Sequence, residues 1–394
     1  MRKRRRDPKD TPQPRLGGTG DGVKRRPAPL VTKGSTRSKS TRASQAPEIK
    51  RRSATSRHPV VFLLNFVLFF LVISIAGAIA VLAFGRQAYV AQGPLNAPVQ
   101  LNIPRGASVQ SIAAGLEAQN IISNQYVFMA AAYTSGATRR MQAGEYVIPA
   151  GASIAEVIDK IVSGDVVQHQ ITIAEGLSSA QVVRRLNENP VLSGSIGDIP
   201  PEGSLLPETY AVTRGMERER VLQMMRDARE RVVAEAWNQR DPDLPLSSPA
   251  ELVTLASIVE KETGAAEERA LVAGVFVNRL NRRMRLQSDP TILYGIYGGE
   301  AWERPRTIYR SDLERPNSYN TYQIPALPPG PITNPGSEAL MATANPAETT
   351  ALYFVADGTG GHAFAETYEE HQRNVARWRE IERARDANSP STTE

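Results

Sequence analysis

The side chains best suited to chemistry crowd into the C-terminal third of the chain. Ala256-Ser-Ile-Val-Glu-Lys-Glu-Thr263 offers two carboxylates, and Leu286-Gln-Ser-Asp-Pro-Thr291 adds an amide, a hydroxyl and a third carboxylate. Tyr319-Asn-Thr-Tyr322 then precedes two proline-rich runs, Leu327-Pro-Pro-Gly-Pro331 and Asn334-Pro-Gly336. Aromatic rings and amides on stiff loops suit a sugar groove, because rings cover apolar sugar faces and amides pair hydroxyl and acetamido groups. The same prolines equally suit a long brace over a core. On helical geometry Glu260 lies one turn beyond Ala256 and Ser257, a small-residue strip that would let a bulky ligand approach. Glu262, two positions on, points elsewhere, either orienting the motif or pairing with Arg269 or Arg279. Helix pattern alone leaves Glu260 as either a solvated charge or an acid, and Asp289 as either a turn former or a site residue.

Other chemistries find little support. With no cysteine there is no disulfide framework, thiolate zinc site or cysteine nucleophile, and the four histidines are scattered. Asp357-Gly-Thr-Gly-Gly361 lacks the Gly-Lys-Ser/Thr of a phosphate loop and reads as a hairpin turn between Leu352–Ala356 and Ala363–Phe364. Glu145, Glu156 and Glu175 sit at turns, caps or strand edges and read as structural. Neither a metal nor a cofactor is expected.

The elements that must position these residues announce themselves at their ends. Ser248-Pro249-Ala-Glu251 is a strong helix start, and the helix stops near Gly264. A second helix follows over about 267–283, and Thr367 with Glu370 caps a last one. Further upstream, Ile103-Pro-Arg-Gly-Ala-Ser108 recurs as Ile148-Pro-Ala-Gly-Ala-Ser153 and more loosely as Ile173-Ala-Glu-Gly-Leu-Ser178. Each copy reads as strand, glycine turn and serine N-cap, two of them with capping boxes, Ser153 with Glu156 and Ser178 with Gln181. The expected organisation is a small strand–helix module over 99–190, a connecting segment over 191–245 and a catalytic domain over 246–386.

Charge and hydropathy divide the chain again. Residues 1–57 carry 18 Lys and Arg against four acidic residues, so the overall +6 hides about +14 before residue 58 and about −8 after it. A basic pI therefore does not indicate nucleic-acid binding. Val60–Phe84 is an uncharged apolar run whose helix would reach about 37 Å, more than the roughly 30 Å of a bilayer's hydrocarbon. Lys50, Arg51, Arg52 and Arg57 precede it and only Arg86 closely follows, which predicts a single transmembrane helix with a cytoplasmic N-terminus. The tail before it has six prolines and no aromatic residue and is expected to be disordered and to sit on anionic lipid, with docking of a cytoplasmic partner as the alternative; a short tail over 387–394 is also expected to be disordered.

The runs quoted above, with Val275-Phe-Val-Asn-Arg-Leu280, Leu352-Tyr-Phe-Val-Ala-Asp-Gly358 and Gly361-His-Ala-Phe364, closely resemble the YceG-like family of endolytic murein transglycosylases. The resemblance extends from the membrane span to about Arg385. It implies a catalytic domain outside the inner membrane; with the predicted span, and with the strand–turn–helix order of 99–190 resembling a LysM-type carbohydrate-binding fold, the expected fold class is α+β, a single transmembrane helix followed by a periplasmic LysM-like module and an α+β catalytic domain. It further implies cleavage of the β-1,4 bond between N-acetylmuramic acid and N-acetylglucosamine in nascent peptidoglycan strands, leaving 1,6-anhydro ends. Penicillin-binding synthases and elongation or division complexes are then the expected partners. Glu260 takes the position of the family's catalytic glutamate, with Gln287, Ser288, Asp289, Tyr319, Asn320 and Tyr322 expected to hold substrate. One acid suffices for that reaction, because the sugar's own C6 hydroxyl replaces water as nucleophile, whereas ordinary glycoside hydrolysis uses two carboxylates. A non-catalytic glycan-binding scaffold and a water-using muramidase remain the competing readings.

Overall fold

The computed structural model describes residues 59–388. The expectations for residues 1–57 lie outside that range. Of the tail expected over 387–394, the first two positions continue the last helix and the rest lies outside as well. The chain divides into two units, Met1–Phe70 and Leu71–Glu394. The described part of the first is helical, with the Phe66 and Phe70 rings 4.6 Å apart. Both units share helix α1, Pro59–Val90, in which no residue is buried. Bare phenylalanine and leucine along so many turns belong in a non-aqueous medium. The helix is long and apolar enough to cross a membrane and fits a single-pass anchor.

The second unit is a mixed α+β structure with two hydrophobic cores. The smaller is built from β1 (Val99–Ile103), α2 (Val109–Ala118), α3 (Gln125–Thr134), β2 (Gly144–Ile148) and α4 (Ile154–Ser163). Strands β1 and β2 pair antiparallel, Val99 opposite Ile148 and Ile103 opposite Gly144, so the first four elements form a βααβ unit. Ser108 and Ser153 cap α2 and α4 as their spacing predicts, the latter in a full capping box. Leu116, Phe128, Tyr146 and Ile161 fill the centre and are wholly buried. Each such side chain contributes about 1.5–3 kcal/mol over its exposed state.

The larger core begins earlier than the sequence indicates. Strand β3 (Gln168–Thr172) pairs antiparallel with β4 (Thr209–Thr213), and α5 (Ser179–Glu188) follows the third copy of the repeat. Ile171, Ile173, Val182 and Leu186 pack in one core with Leu252, Leu255 and Val272. The expected boundary at residue 190 is therefore displaced to between β2's module and β3. The repeat records local strand–turn–helix geometry, whereas strand partnership is set about 40 residues away.

Around this core come α6 (Arg218–Asn238), α7 (Pro249–Glu262), α8 (Arg269–Asn281), α9 (Asp289–Tyr297), the short α10 (Arg310–Glu314) and α11 (Ser337–Ala344). Strands β5 (Tyr353–Ala356) and β6 (His362–Ala365) form the expected hairpin, and α12 (Tyr368–Asn388) packs against it. Residues 191–245 contribute Tyr210, Val212, Leu222 and Met225 to the larger core, so they are not a mere connector.

Candidate active site

Helix α7 carries both carboxylates of the Glu-Lys-Glu motif, and its local chemistry explains where each ends up. The Ser248 hydroxyl accepts the Glu251 N–H at 3.3 Å and Pro249 occupies the first turn, fixing the helix start. Every residue from Leu252 to Val259 is buried. The small-residue strip proposed to admit a ligand is instead covered: Ser257 is fully buried, and its hydroxyl accepts the Ile332 N–H at 3.1 Å. The proline-rich loop thus lies over the Ala256–Ser257 face. At the other end the Thr263 N–H closes on the Val259 carbonyl, making Glu262 the last helical residue.

Glu260 points beneath that loop. Its side chain is only 6% exposed, and one carboxylate oxygen accepts the Gly336 N–H at 2.9 Å. The Arg269 guanidinium lies 3.9 Å from the other oxygen, and the same guanidinium binds Glu175 at 3.0 Å and also Glu338. Burial pushes the Glu260 pKa up, opposed by the Gly336 N–H. A Cβ at Gly336 would sit 1.9 Å from a Glu175 carboxylate oxygen, so a larger residue here would require the Glu175 side chain to move. The neighbouring Lys261 ammonium lies 4.2 Å from the Trp302 ring centroid, and burial lowers its pKa. This is a packed joint between α7, α8, the start of α11 and the turn before α5.

Glu262 faces the opposite way, into a cavity of about 620 Å³. Gln287, Asp289 and Tyr322 line that cavity with it, together with Arg279 of α8, Tyr353 of β5 and His371 of α12. The Ser288 hydroxyl donates to Glu262 at 2.5 Å, and the Tyr322 hydroxyl donates to Asp289 at 2.8 Å. Burial drives the Glu262 pKa from 4.5 up to about 7, against the Ser288 hydrogen bond, and the nearby Asp289 charge adds to the rise. At neutral pH this carboxyl is therefore divided between acid and base forms, the condition a proton-transfer group requires.

The loop that delivers the amide is under backbone strain. Gln287 sits at φ 52°, in the left-handed region that favours glycine. Its N–H donates to the Thr321 carbonyl at 3.2 Å, and its side-chain oxygen accepts from Arg279 at 3.4 Å. Ser288 and Thr291 bond to Thr321, which ties the 287–291 segment to the 319–322 segment. Arg279 is itself buried and holds the carbonyls of Leu286 and Leu352 at 2.7 and 2.6 Å. Its ring neighbours continue the wall, with Tyr353 stacked on His371 at 5.1 Å.

Of the residues expected to hold substrate, Gln287, Ser288, Asp289 and Tyr322 therefore assemble, but around Glu262 and not around Glu260. Asn320 is buried, and its amide caps the carbonyls of Leu313 and Arg315 at 3.0 Å, so it shapes the loop and does not line the cavity. Tyr319 packs on Tyr294 at 4.9 Å, outside the cavity lining. There both phenols neighbour Glu202, whose pKa burial raises to about 7. Sequence reasoning missed Glu262, Arg279, Tyr353 and His371 as cavity residues, and it read Glu175 as a simple turn carboxylate. The available signal was Arg279: a cation set among Phe276, Val277 and Leu280 on the apolar side of a helix marks a buried charge with partners. Among the described residues no group of three His, Cys, Asp or Glu could hold a metal ion.

Comparison with known proteins agrees with the sequence pattern. Residues 101–377 match the YceG-like family. An endolytic murein transglycosylase of Bacillus subtilis is 31% identical over 70% of this chain and 83% of its own length. One from Streptococcus pneumoniae is 28% identical over 81% of this chain, which spans 65% of that protein. A crystal structure of a YceG-like protein from Listeria monocytogenes has 28% identity, covers 70% of this chain and 98% of its own, and superposes with a TM-score of 0.44. The chain belongs to the YceG-like family.

Proposed function

We propose that this chain is a peptidoglycan lytic transglycosylase whose proton-transfer residue is Glu262. The observation that carries the assignment is the cavity: Glu262 is the carboxyl that opens into it beside Gln287, Asp289 and Tyr322, with a pKa near 7. In the proposed reaction protonated Glu262 gives its proton to the glycosidic oxygen as the bond from the anomeric carbon breaks. The C6 hydroxyl of the same N-acetylmuramic acid then bonds to that carbon and returns its proton to the Glu262 carboxylate. The products are a free hydroxyl on one fragment and a 1,6-anhydro end on the other, with the acid regenerated. Asp289, exposed at the cavity wall, supplies negative charge for the developing oxocarbenium ion, and Gln287 and Tyr322 orient the sugar. In this reading Glu260 is a positioning residue beneath the proline-rich loop.

The setting of the reaction belongs to the same proposal. The βααβ order of the smaller core supports a LysM-like module that holds glycan, and the basic flank before α1 supports a cytoplasmic N-terminus with the cavity in the periplasm. Nascent strands at the inner membrane are then the substrate, and penicillin-binding synthases or their elongation and division complexes the partners. A second reading, a water-using muramidase, draws on Asp289, a second carboxylate in the same cavity. Incubating the full chain in detergent with uncrosslinked glycan and weighing the products separates the two. Anhydro ends support the transglycosylase, reducing ends the muramidase, and unchanged strands leave only a glycan-binding scaffold.

A further inference from the structure

We propose that the outer face of α3 rests on the lipid surface, with the boundary layer between lipid headgroups and acyl chains filling the groove between α3 and the C-terminal end of α1. The inference rests on the reading of α1 as a membrane anchor. Helix α3 is Gln-Tyr-Val-Phe-Met-Ala-Ala-Ala-Tyr-Thr, ten residues without a charge. Phe128 and Ala132 bury its inner face, while Tyr126 and Tyr133 stand 69% and 65% exposed on the other, one turn either side of exposed Ala130. A helix in water ordinarily places its charges on that outer face.

What lies opposite names the occupant. The groove holds about 650 Å³ and is lined by Val81, Leu82 and Phe84 of α1 and by Tyr126, Val127 and Ala130 of α3. The apolar run of α1 exceeds the roughly 30 Å of hydrocarbon by about 7 Å, or about five residues. Counted from its cytoplasmic end, that surplus falls on 80–84, the stretch that faces α3. Tyrosine is the side chain that settles where acyl chains meet headgroups, its ring in the apolar layer and its hydroxyl in the polar one. Arg86, also at the groove, lies half a turn beyond Phe84 and is placed to reach lipid phosphates. The apolar surface is thus continuous from the span onto α3, and it fixes the smaller core against the bilayer instead of leaving it on a free tether.

The chain has no cysteine, so single substitutions each carry one fluorescent label. Tyr126→Cys, Tyr133→Cys, Leu68→Cys within α1 and Glu230→Cys on the exposed surface of α6 are labelled with a nitrobenzoxadiazole. The full chain is then reconstituted in phosphatidylethanolamine–phosphatidylglycerol vesicles. Nitroxide-bearing lipid should extinguish most of the emission at 126, 133 and 68 and little at 230, while aqueous iodide should do the reverse. Labels at 126 and 133 that follow 230 while 68 is quenched by lipid overturn the proposal and leave the anchor intact. Labels at 126 and 133 shielded from both quenchers mean that a protein covers the face, which also overturns it. If position 68 itself is open to iodide and untouched by lipid, the anchor reading fails first and the proposal with it.

Discussion

Two regions meet at the last turn of α7, and they treat nearly identical carboxyls in opposite ways. Glu260 and Glu262 are both buried enough to have raised pKa values. Around Glu260 a backbone N–H, a guanidinium and the underside of a proline-rich loop close in. Around Glu262 a hydroxyl holds one oxygen, and the cavity beside it is lined by an amide, a phenol, a second carboxylate and the Arg279 guanidinium. A perturbed pKa therefore does not by itself identify an acid catalyst. In the proposed reading, the side of the helix that opens onto a cavity does.

The sharpest way to break this comparison is to remove each acid in turn. Glu262→Gln should lower turnover on uncrosslinked glycan by about a hundred- to ten-thousandfold, the range of a lost general acid. Glu260→Gln should keep turnover within about tenfold of the parent and stability within about 1 kcal/mol, the amide retaining the Gly336 bond. An inactive Glu260→Gln beside an active Glu262→Gln would reverse the assignment.

Acidity should distinguish the two variants as well. The Glu262 carboxyl titrates near 4.5 when unfolded and near 7 when folded. The folded chain thus holds a proton that the unfolded chain has released, and stability drains away as pH rises between those values. Catalysis needs the protonated form, so turnover should fall on the alkaline limb above about pH 7. In Glu262→Gln the stability loss disappears: thermal melts at pH 8 should show it more stable than the parent by on the order of 1–3 kcal/mol, with no difference near pH 4. A pH-independent difference would mean that the amide changes packing and not charge.

On the Glu260 side the larger effect should come from the cation. Arg269 is 9% exposed and serves Glu175, Glu260 and Glu338 together. Arg269→Gln leaves those carboxylates facing one another. Removing one partner of a fully buried pair costs about 3–5 kcal/mol, and the solvent reach of Glu175 and Glu338 should reduce this to roughly 2 kcal/mol. Denaturant unfolding measures it. A drop in turnover with stability unchanged would place Arg269 in the site after all.

How much of this was written in the sequence differs between the two sides of α7. The helix ends were legible, because Ser153, Ser178 and Ser248 satisfy backbone N–H groups within four residues of themselves. So was the company of Gln287, Ser288, Asp289 and Tyr322, which share one chemistry. The choice between Glu260 and Glu262 was not. Helical spacing shows only that they diverge, and the face that is covered is decided by Ile332 and Gly336, over 70 residues on. The third copy of the repeat misled for a related reason: its turn and cap are local, but β3 pairs with β4 in the larger core.

The smallest effect should test the strain at the cavity mouth. Gln287 holds φ 52° with a side chain, a conformation that costs a non-glycine residue about 1 kcal/mol or more. Gln287→Gly removes both the strain and the amide. If the left-handed turn exists to aim that amide into the cavity, the variant should match the parent's stability or gain up to about 1 kcal/mol while KM for glycan rises severalfold. Glycine's larger unfolded-state entropy works against the gain, so an unchanged melting temperature is also compatible with relieved strain. The decisive quantity is the split between binding and folding. Weaker binding with stability held ties Gln287 to the sugar, whereas a parallel loss of both would make the turn a structural joint like the one around Glu260.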